Sequence, residues 1–211
     1  MKLESSSFVD GQPIPGEYAF CIPHAGHRVC LGGNRNPDFK WSDVPAGTRA
    51  FALICHDPDV PSRGDDVNQE GRLVPASLPR VDFFHWVLFD LPAELREIRA
   101  GEYSAEVTPR GKPGPGTAHG ARHGINDFTG WFASDHDMSG DYYGYDGPCP
   151  PWNDELRHRY IFTLYALDSP LEPGGASGTF TGAEVRQAMA GKILAQASLT
   201  GTYSLNPALT P

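Results

Sequence analysis

Basic residues are scarce in this 211-residue chain, with 17 Lys and Arg against 26 Asp and Glu and a formal net charge of −9. A general nucleic-acid binder carries a basic footprint that neutralises phosphates, and that footprint is missing. Long hydrophobic runs are missing too. No stretch approaches the roughly 20 apolar residues that span a bilayer, and the opening Met1-Lys2-Leu3-Glu4-Ser5-Ser6-Ser7 lacks the apolar run of a signal peptide. The expectation is a cytoplasmic protein without a transmembrane segment. Cysteine is sparse: Cys21, Cys30, Cys55 and Cys149 contain no Cys-x-x-Cys pair and are too few for a disulfide scaffold. Reduced, mostly buried thiols are expected, with a Cys21–Cys30 bridge as the alternative. The common catalytic signatures are also absent: no Gly-x-Ser-x-Gly elbow, His-Glu-x-x-His, phosphate-binding loop or Gly-x-Gly-x-x-Gly. No cofactor or metal is expected. His119 and His123 are four apart but stand in a glycine-rich stretch that does not read as a helix. Cys149, between two prolines, has no evident base beside it to make it a nucleophile.

Glycine and proline are abundant, 24 and 20 residues, well above the roughly 12% of average usage. They are the two worst residues for a helix interior, so a mainly helical fold is unlikely. Hydrophobic residues make up 39% of the chain and aromatics 11%, enough for a real core, and the length predicts one domain over 1–211. Short apolar runs recur between turn signals, the pattern of an antiparallel sandwich or barrel. Arg49 to Cys55, Phe84 to Leu91 and Tyr160 to Leu167 are apolar on both faces and read as central strands. Between them lie Gly/Pro/Asp-rich segments, Asp57 to Arg80, Pro109 to Gly130 and Ser134 to Asp154, of a length that usually marks function. Thr181-Gly-Ala-Glu184 has capping-box spacing and predicts one helix over Glu184 to Ala197, followed by a strand at Leu199 to Leu205.

Three stretches carry candidate chemistry. Cys55-His56-Asp57-Pro58-Asp59-Val60-Pro61 ends a buried strand and delivers His56, Asp57 and Asp59 into a loop. If alternation persists, Asp57 shares a face with Phe51, Leu53 and Cys55, and a carboxylate so placed needs a partner; the plainer reading is that Asp57 and Asp59 cap turns. Phe83-Phe84-His85-Trp86-Val87 sets a histidine in an apolar strand, which is commonly a satisfied core residue. An Asp57 carboxylate accepting from one nitrogen of His85 would fix its tautomer and free the other for a ligand. Third, Gly147-Pro148-Cys149-Pro150-Pro151 makes a rigid loop ahead of Arg157-His158-Arg159-Tyr160. There His158 and Tyr160 share parity as donors for a small anion, while Arg157 and Arg159 read as a solvated strand end pairing with acids.

At these stretches the sequence resembles the phosphatidylethanolamine-binding protein family, also called the Raf kinase inhibitor-like family, and within it the bacterial branch. The matching residues are Asp57-Pro58-Asp59-Val60-Pro61-Ser62, His85-Trp86-Val87-Leu88-Phe89, Gly144 to Pro151 and His158-Arg159-Tyr160. Asn34 to Trp41, Val44 to Thr48 and Asn126-Asp127-Phe128 agree more weakly. The resemblance implies a mainly β, two-sheet antiparallel, sandwich-like fold with one C-terminal helix, long Gly/Pro-rich loops and a small anion pocket at one end of the sheets. Carried over, its pocket residues are Asp57, His85, Pro150, Pro151, His158 and Tyr160, with Asp59 and Trp86 in support. The stretch from Ser62 to Phe84 is long for the bacterial branch, and its segment from Arg63 to Arg72 is expected to lid the pocket, bind a protein partner or fray.

The functional expectation is non-enzymatic binding of small phosphate-bearing anions, a phospholipid head group or a phosphorylated ligand, with monoanions favoured because Asp57 opposes a dianion. By resemblance the protein modulates a kinase or another signalling partner and forms a homodimer. The rival reading is a hydrolase or lyase with His85 as base and Asp57 as its orienter; a third is an interaction module acting through the 62–84 loop.

Overall fold

A computed structural model describes residues 1–171 and 179–209. Its strands are β1 (Lys2–Glu4), β2 (Cys21–His24), β3 (Arg28–Leu31), β4 (Phe39–Ser42), β5 (Ala50–Pro61), β6 (Arg80–Pro92), β7 (Glu97–Ile98), β8 (Arg122–His123), β9 (His158–Leu167) and β10 (Ile193–Tyr203). Two short helices, α1 (Phe128–Trp131) and α2 (Gly182–Ala188), complete the elements used below. The strands form a five-stranded sheet in the order β10-β9-β5-β6-β8, a three-stranded sheet β1-β4-β7 and the hairpin β2-β3, with antiparallel pairing throughout.

The central strands are apolar on both faces because both faces are covered. Phe51, Leu53 and Cys55 of β5, with Phe162 and Leu164 of β9, face the small sheet and share a core with Phe39, Trp41 and Ile98. Ala52, Ile54, Val87 and Phe89 point the other way, against Phe180, Val185 and Met189 at and around α2. The expected strands are present and longer than the apolar runs. β5 passes through Pro58 to Pro61 instead of ending in a loop after Cys55, because the Asp57/Val60 register shift places the proline, which has no N–H to donate, at a bulge.

The C-terminal helix is also corrected. Thr181 and Glu184 form the capping box, but α2 ends at Ala188 and the chain turns at Gly191, φ +77°. Ile193 to Ala197, expected to be helical, pair with β9 instead, starting at Ile193↔Leu167, and run on into the strand expected from Leu199. Along β10 burial alternates over much of its length, so a half-covered edge strand accommodates this sequence, with its backbone bonded to β9.

Cys21 and Cys149 form a disulfide across 128 residues of sequence, while Cys30 and Cys55 are free. This overturns the expectation of reduced thiols, and the Cys21–Cys30 alternative with it. Spacing gave no sign of the pairing, because Cys21 opens β2 and Cys149 sits in the distant proline loop. The two segments are brought together by Phe20 and Cys21 N–H groups donating to the Pro148 carbonyl. Among the described residues no helix is long and apolar enough to cross a membrane. Structural disulfides are rare in reducing compartments, so this bridge weakens the expectation of a cytoplasmic location.

Leu53 is fully buried between Leu88 and Leu164. Leu53→Ala is expected to lower unfolding free energy by about 2–5 kcal/mol in denaturant titration, with the fold retained.

Candidate ligand-binding site

A cavity of about 410 Å³ opens at one end of the large sheet. Its inner end is built by three strands, with Asp57 from β5, His85 from β6, and His158 and Tyr160 from β9. The Cys21–Cys149 disulfide, Pro150 and Pro151 form one wall, the α1 rings another, and residues 61–68 supply a third.

His85 reaches this space through a backbone irregularity. Strict alternation would align it with Val87 and Phe89, toward α2. The pairs Cys55↔Trp86 and His56↔Phe84 leave His85 as an extra, unpaired residue in β6. Such a bulge re-aims side chains, so His85 and Trp86 both serve the same side of the sheet. His85 is bonded to the loop: Asp146 N–H donates to the His85 carbonyl at 3.0 Å, and His85 Nδ1 lies 2.7 Å from the Asp146 carbonyl oxygen. A carbonyl only accepts, so Nδ1 carries the proton. Burial depresses the His85 pKa below its ordinary value, against the partial opposition of Asp57. The ring is therefore neutral near pH 7, with Nε2 as an acceptor that has no protein partner among the described residues.

The expectation that Asp57 orients His85 is thus corrected. Asp57 Oδ2 lies 2.6 Å from His158 Nδ1, and its Oδ1 accepts the Asp59 N–H at 2.8 Å. Burial and the charge of the same carboxylate push the Tyr160 phenol well above its ordinary range. His158 is not a free donor either: its Nε2 lies 3.1 Å from Asp154 Oδ2. Both nitrogens face carboxylates, so both are protonated. Burial opposes that charge, but the hydrogen bonds to Asp154 and Asp57 outweigh it and push the His158 pKa up to about 9. Arg80 closes the chain with two bonds to Asp154, of 2.6 and 3.0 Å.

Asp59 and Trp86 support the site from outside the cavity. Asp59 holds Arg159 through both carboxylate oxygens, the plain reading for that arginine. Arg157 donates to the Leu209 carbonyl. Trp86 is fully buried and donates to His123 Nε2 at 3.3 Å. His56 does not line the cavity; its ring lies against Phe84. His119 bonds Glu102 instead of acting with His123.

Other members of the site are not singled out by the sequence, although Asp146 stands in the matching Gly144 to Pro151 stretch. Asp146, wholly buried, receives Lys112 Nζ at 2.8 Å, Asn34 Nδ2 at 2.7 Å and Asn126 Nδ2 at 2.8 Å. Asn34 and Asn126 stood only in weakly matching segments; Lys112 gave no signal. The long 62–84 segment does not fray where it lines the cavity. Asn153, buried beneath it, accepts the Asn68 N–H and donates to the Asp66 and Arg72 carbonyls. Ser62, Arg63, Gly64, Val67 and Asn68 then line the cavity.

The sequence profile described as phosphatidylethanolamine-binding protein matches residues 4–204. The chain belongs to this family. A UPF0098 protein of Aquifex aeolicus is 34% identical over 205 residues, covering 96% of this chain and 88% of the relative. The UPF0098 protein YbhB of Escherichia coli is 32% identical over 206 residues, covering 97% and 100%. Among solved structures, a phosphatidylethanolamine-binding protein homologue from Chlamydia trachomatis superposes with a TM-score of 0.62 at 28% identity, covering 96% of each chain. The family's fold is therefore the one described above, and the site belongs to the loops and bulges that this family member carries at one sheet end.

His158 charge stabilises the fold with a defined sign. Its pKa is raised from 6.5 to about 9, so the contribution is complete below the unfolded value and is lost as pH rises through the folded one. Thermal melts are expected to show a Tm falling between neutral pH and about pH 10, with that slope flattened in His158→Gln. An unchanged slope in the variant would remove His158 as the titrating group.

Proposed function

We propose that this family member binds small phosphate-bearing ligands without transforming them, taking the phosphate as its monoanion at the inner end of the cavity. The observation that carries this is the His85 tautomer, with Nδ1 committed to the Asp146 carbonyl and Nε2 left as acceptor. Asp57 and Asp154 engage both nitrogens of His158, which leaves His85 as the imidazole open to a ligand. A singly charged phosphate monoester still has a P–O–H that donates to Nε2; its dianion lacks that proton and meets the Asp57 carboxylate. The second phosphate pKa lies near 6, so affinity for a monoester should fall as pH rises past it.

Two features weigh against the hydrolase or lyase reading. Asp57 is engaged with His158 instead of orienting His85, and Cys149 is held in the disulfide. The Tyr160 phenol, pushed well above its ordinary range by burial and by Asp57, has no tendency to act as a phenolate.

Titration calorimetry with phosphoethanolamine is expected to show binding at about pH 6 that weakens roughly 50-fold by about pH 8, as the monoanion disappears. In His85→Ala the heats should vanish at both. Equal heats in wild type and variant would overturn the proposal. Phosphorus NMR after prolonged incubation should return phosphoethanolamine intact, and release of phosphate would establish the hydrolase reading instead.

A further inference from the structure

The cavity is much larger than a phosphate. At about 410 Å³ it falls within the roughly 300–1,000 Å³ of sites for whole small molecules, and a bare tetrahedral oxyanion fills a minor part. Five aromatic rings line the rest, beside Val60, Arg63, Val67, Asn68 and the proline wall. Phe20 and Phe128 stack at 4.8 Å with planes 15° apart, and Phe128 and Phe132 at 5.5 Å and 22°. Phe83 meets Phe128 edge-on at 5.2 Å. The ladder reaches the polar end, since His85 lies 5.0 Å from Phe83 and 5.5 Å from Phe128.

Trp131 is the outer member of this set. Phe128, Trp131 and Phe132 stand three and four residues apart, the spacing that puts them on one helical face, and all three line the cavity. Trp131 is nevertheless 55% exposed and makes no ring contact among the described residues. The opposite walls are stiff: Pro150, Pro151 and the Cys21–Cys149 disulfide cannot collapse into the space. A preformed cavity walled by rings and one unused indole face favours a flat ring over a flexible chain, because ring pairs gain energy beyond their buried area and a ring loses less rotamer freedom on binding.

We infer that the ligand class is aryl monoanions: a phosphate at His85 carrying an aromatic body that lies against Trp131 and the Phe20–Phe128–Phe132 ladder. This inference rests on the phosphate reading of the inner end and adds the identity of the rest of the molecule.

The test compares inorganic phosphate, phenyl phosphate and n-hexyl phosphate, which has as many carbons as the phenyl ester, by calorimetry at about pH 6. Phenyl phosphate is expected to bind at least about tenfold tighter than inorganic phosphate and tighter than n-hexyl phosphate. Trp131→Ala, at an exposed position, should weaken phenyl phosphate about 3- to 10-fold and leave inorganic phosphate unchanged. Equal affinity for the phenyl and hexyl esters, or a Trp131→Ala variant indistinguishable from wild type, would overturn the inference. Benzyl alcohol separates the two levels: Trp131-dependent binding of benzyl alcohol with no heat from any phosphate supports the aromatic site while removing the phosphate reading.

Discussion

A single buried carboxylate, Asp146, holds the site together. An ion taken out of water costs several kcal/mol unless it is paired and hydrogen-bonded. Here Lys112 supplies the charge, and the Asn34 and Asn126 carboxamides supply the remaining donors. The lysine is spent in the same place, since its other bonds go to Ser104 Oγ and the Tyr145 carbonyl. Anchored in this way, the loop from Gly144 to Pro151 presents its backbone to β6. The Asp146 carbonyl accepts the His85 Nδ1–H, and the Gly147 N–H donates to Asn34 Oδ1. Gly147 is packed too closely for a side chain, since a Cβ there would stand 2.1 Å from the Tyr18 carbonyl oxygen. The tautomer of His85 is thus set by a residue whose own side chain never enters the cavity, while burial keeps the ring neutral.

The second ionic chain works differently. Asp57, His158, Asp154 and Arg80 alternate in sign and share hydrogen bonds, so the charges at the inner end are largely neutralised by one another. The protein is acidic as a whole, and this local balance keeps Asp57 from repelling an anion as strongly as a lone carboxylate would. It also ties the 62–79 region to the site, because Arg80 additionally donates to the Pro75 and Asp59 carbonyls. The net charge of −9 still opposes long-range attraction of anions, so recognition depends on the short-range geometry.

Much of this was legible in the residues. The two-sided apolar runs gave the central strands, the parity of Phe51, Leu53, Cys55 and Asp57 held, and Asp57, His85, Tyr160 and the proline pair do meet in one cavity. What failed was what depends on backbone register or on distant contacts. The bulge at His85 has no sequence mark, so the pairing of Asp57 with His158 instead of His85 was out of reach. The sequence marks His158 as a free donor because nothing in it identifies Asp154, four residues earlier, as its second partner. The Cys21–Cys149 bridge and the Lys112 ion pair join segments far apart in sequence, which composition and spacing do not encode. The helix was drawn too long because Ala, Gln and Lys favour helices, whereas pairing with β9 decided the outcome after Gly191.

The central claim is that His85 is a neutral imidazole with its proton on Nδ1. Nitrogen-15 NMR of the histidine-labelled protein at neutral pH measures this directly. The account predicts a protonated Nδ1 and an unprotonated Nε2 in the free protein. A ring protonated at Nε2, or on both nitrogens, would contradict it.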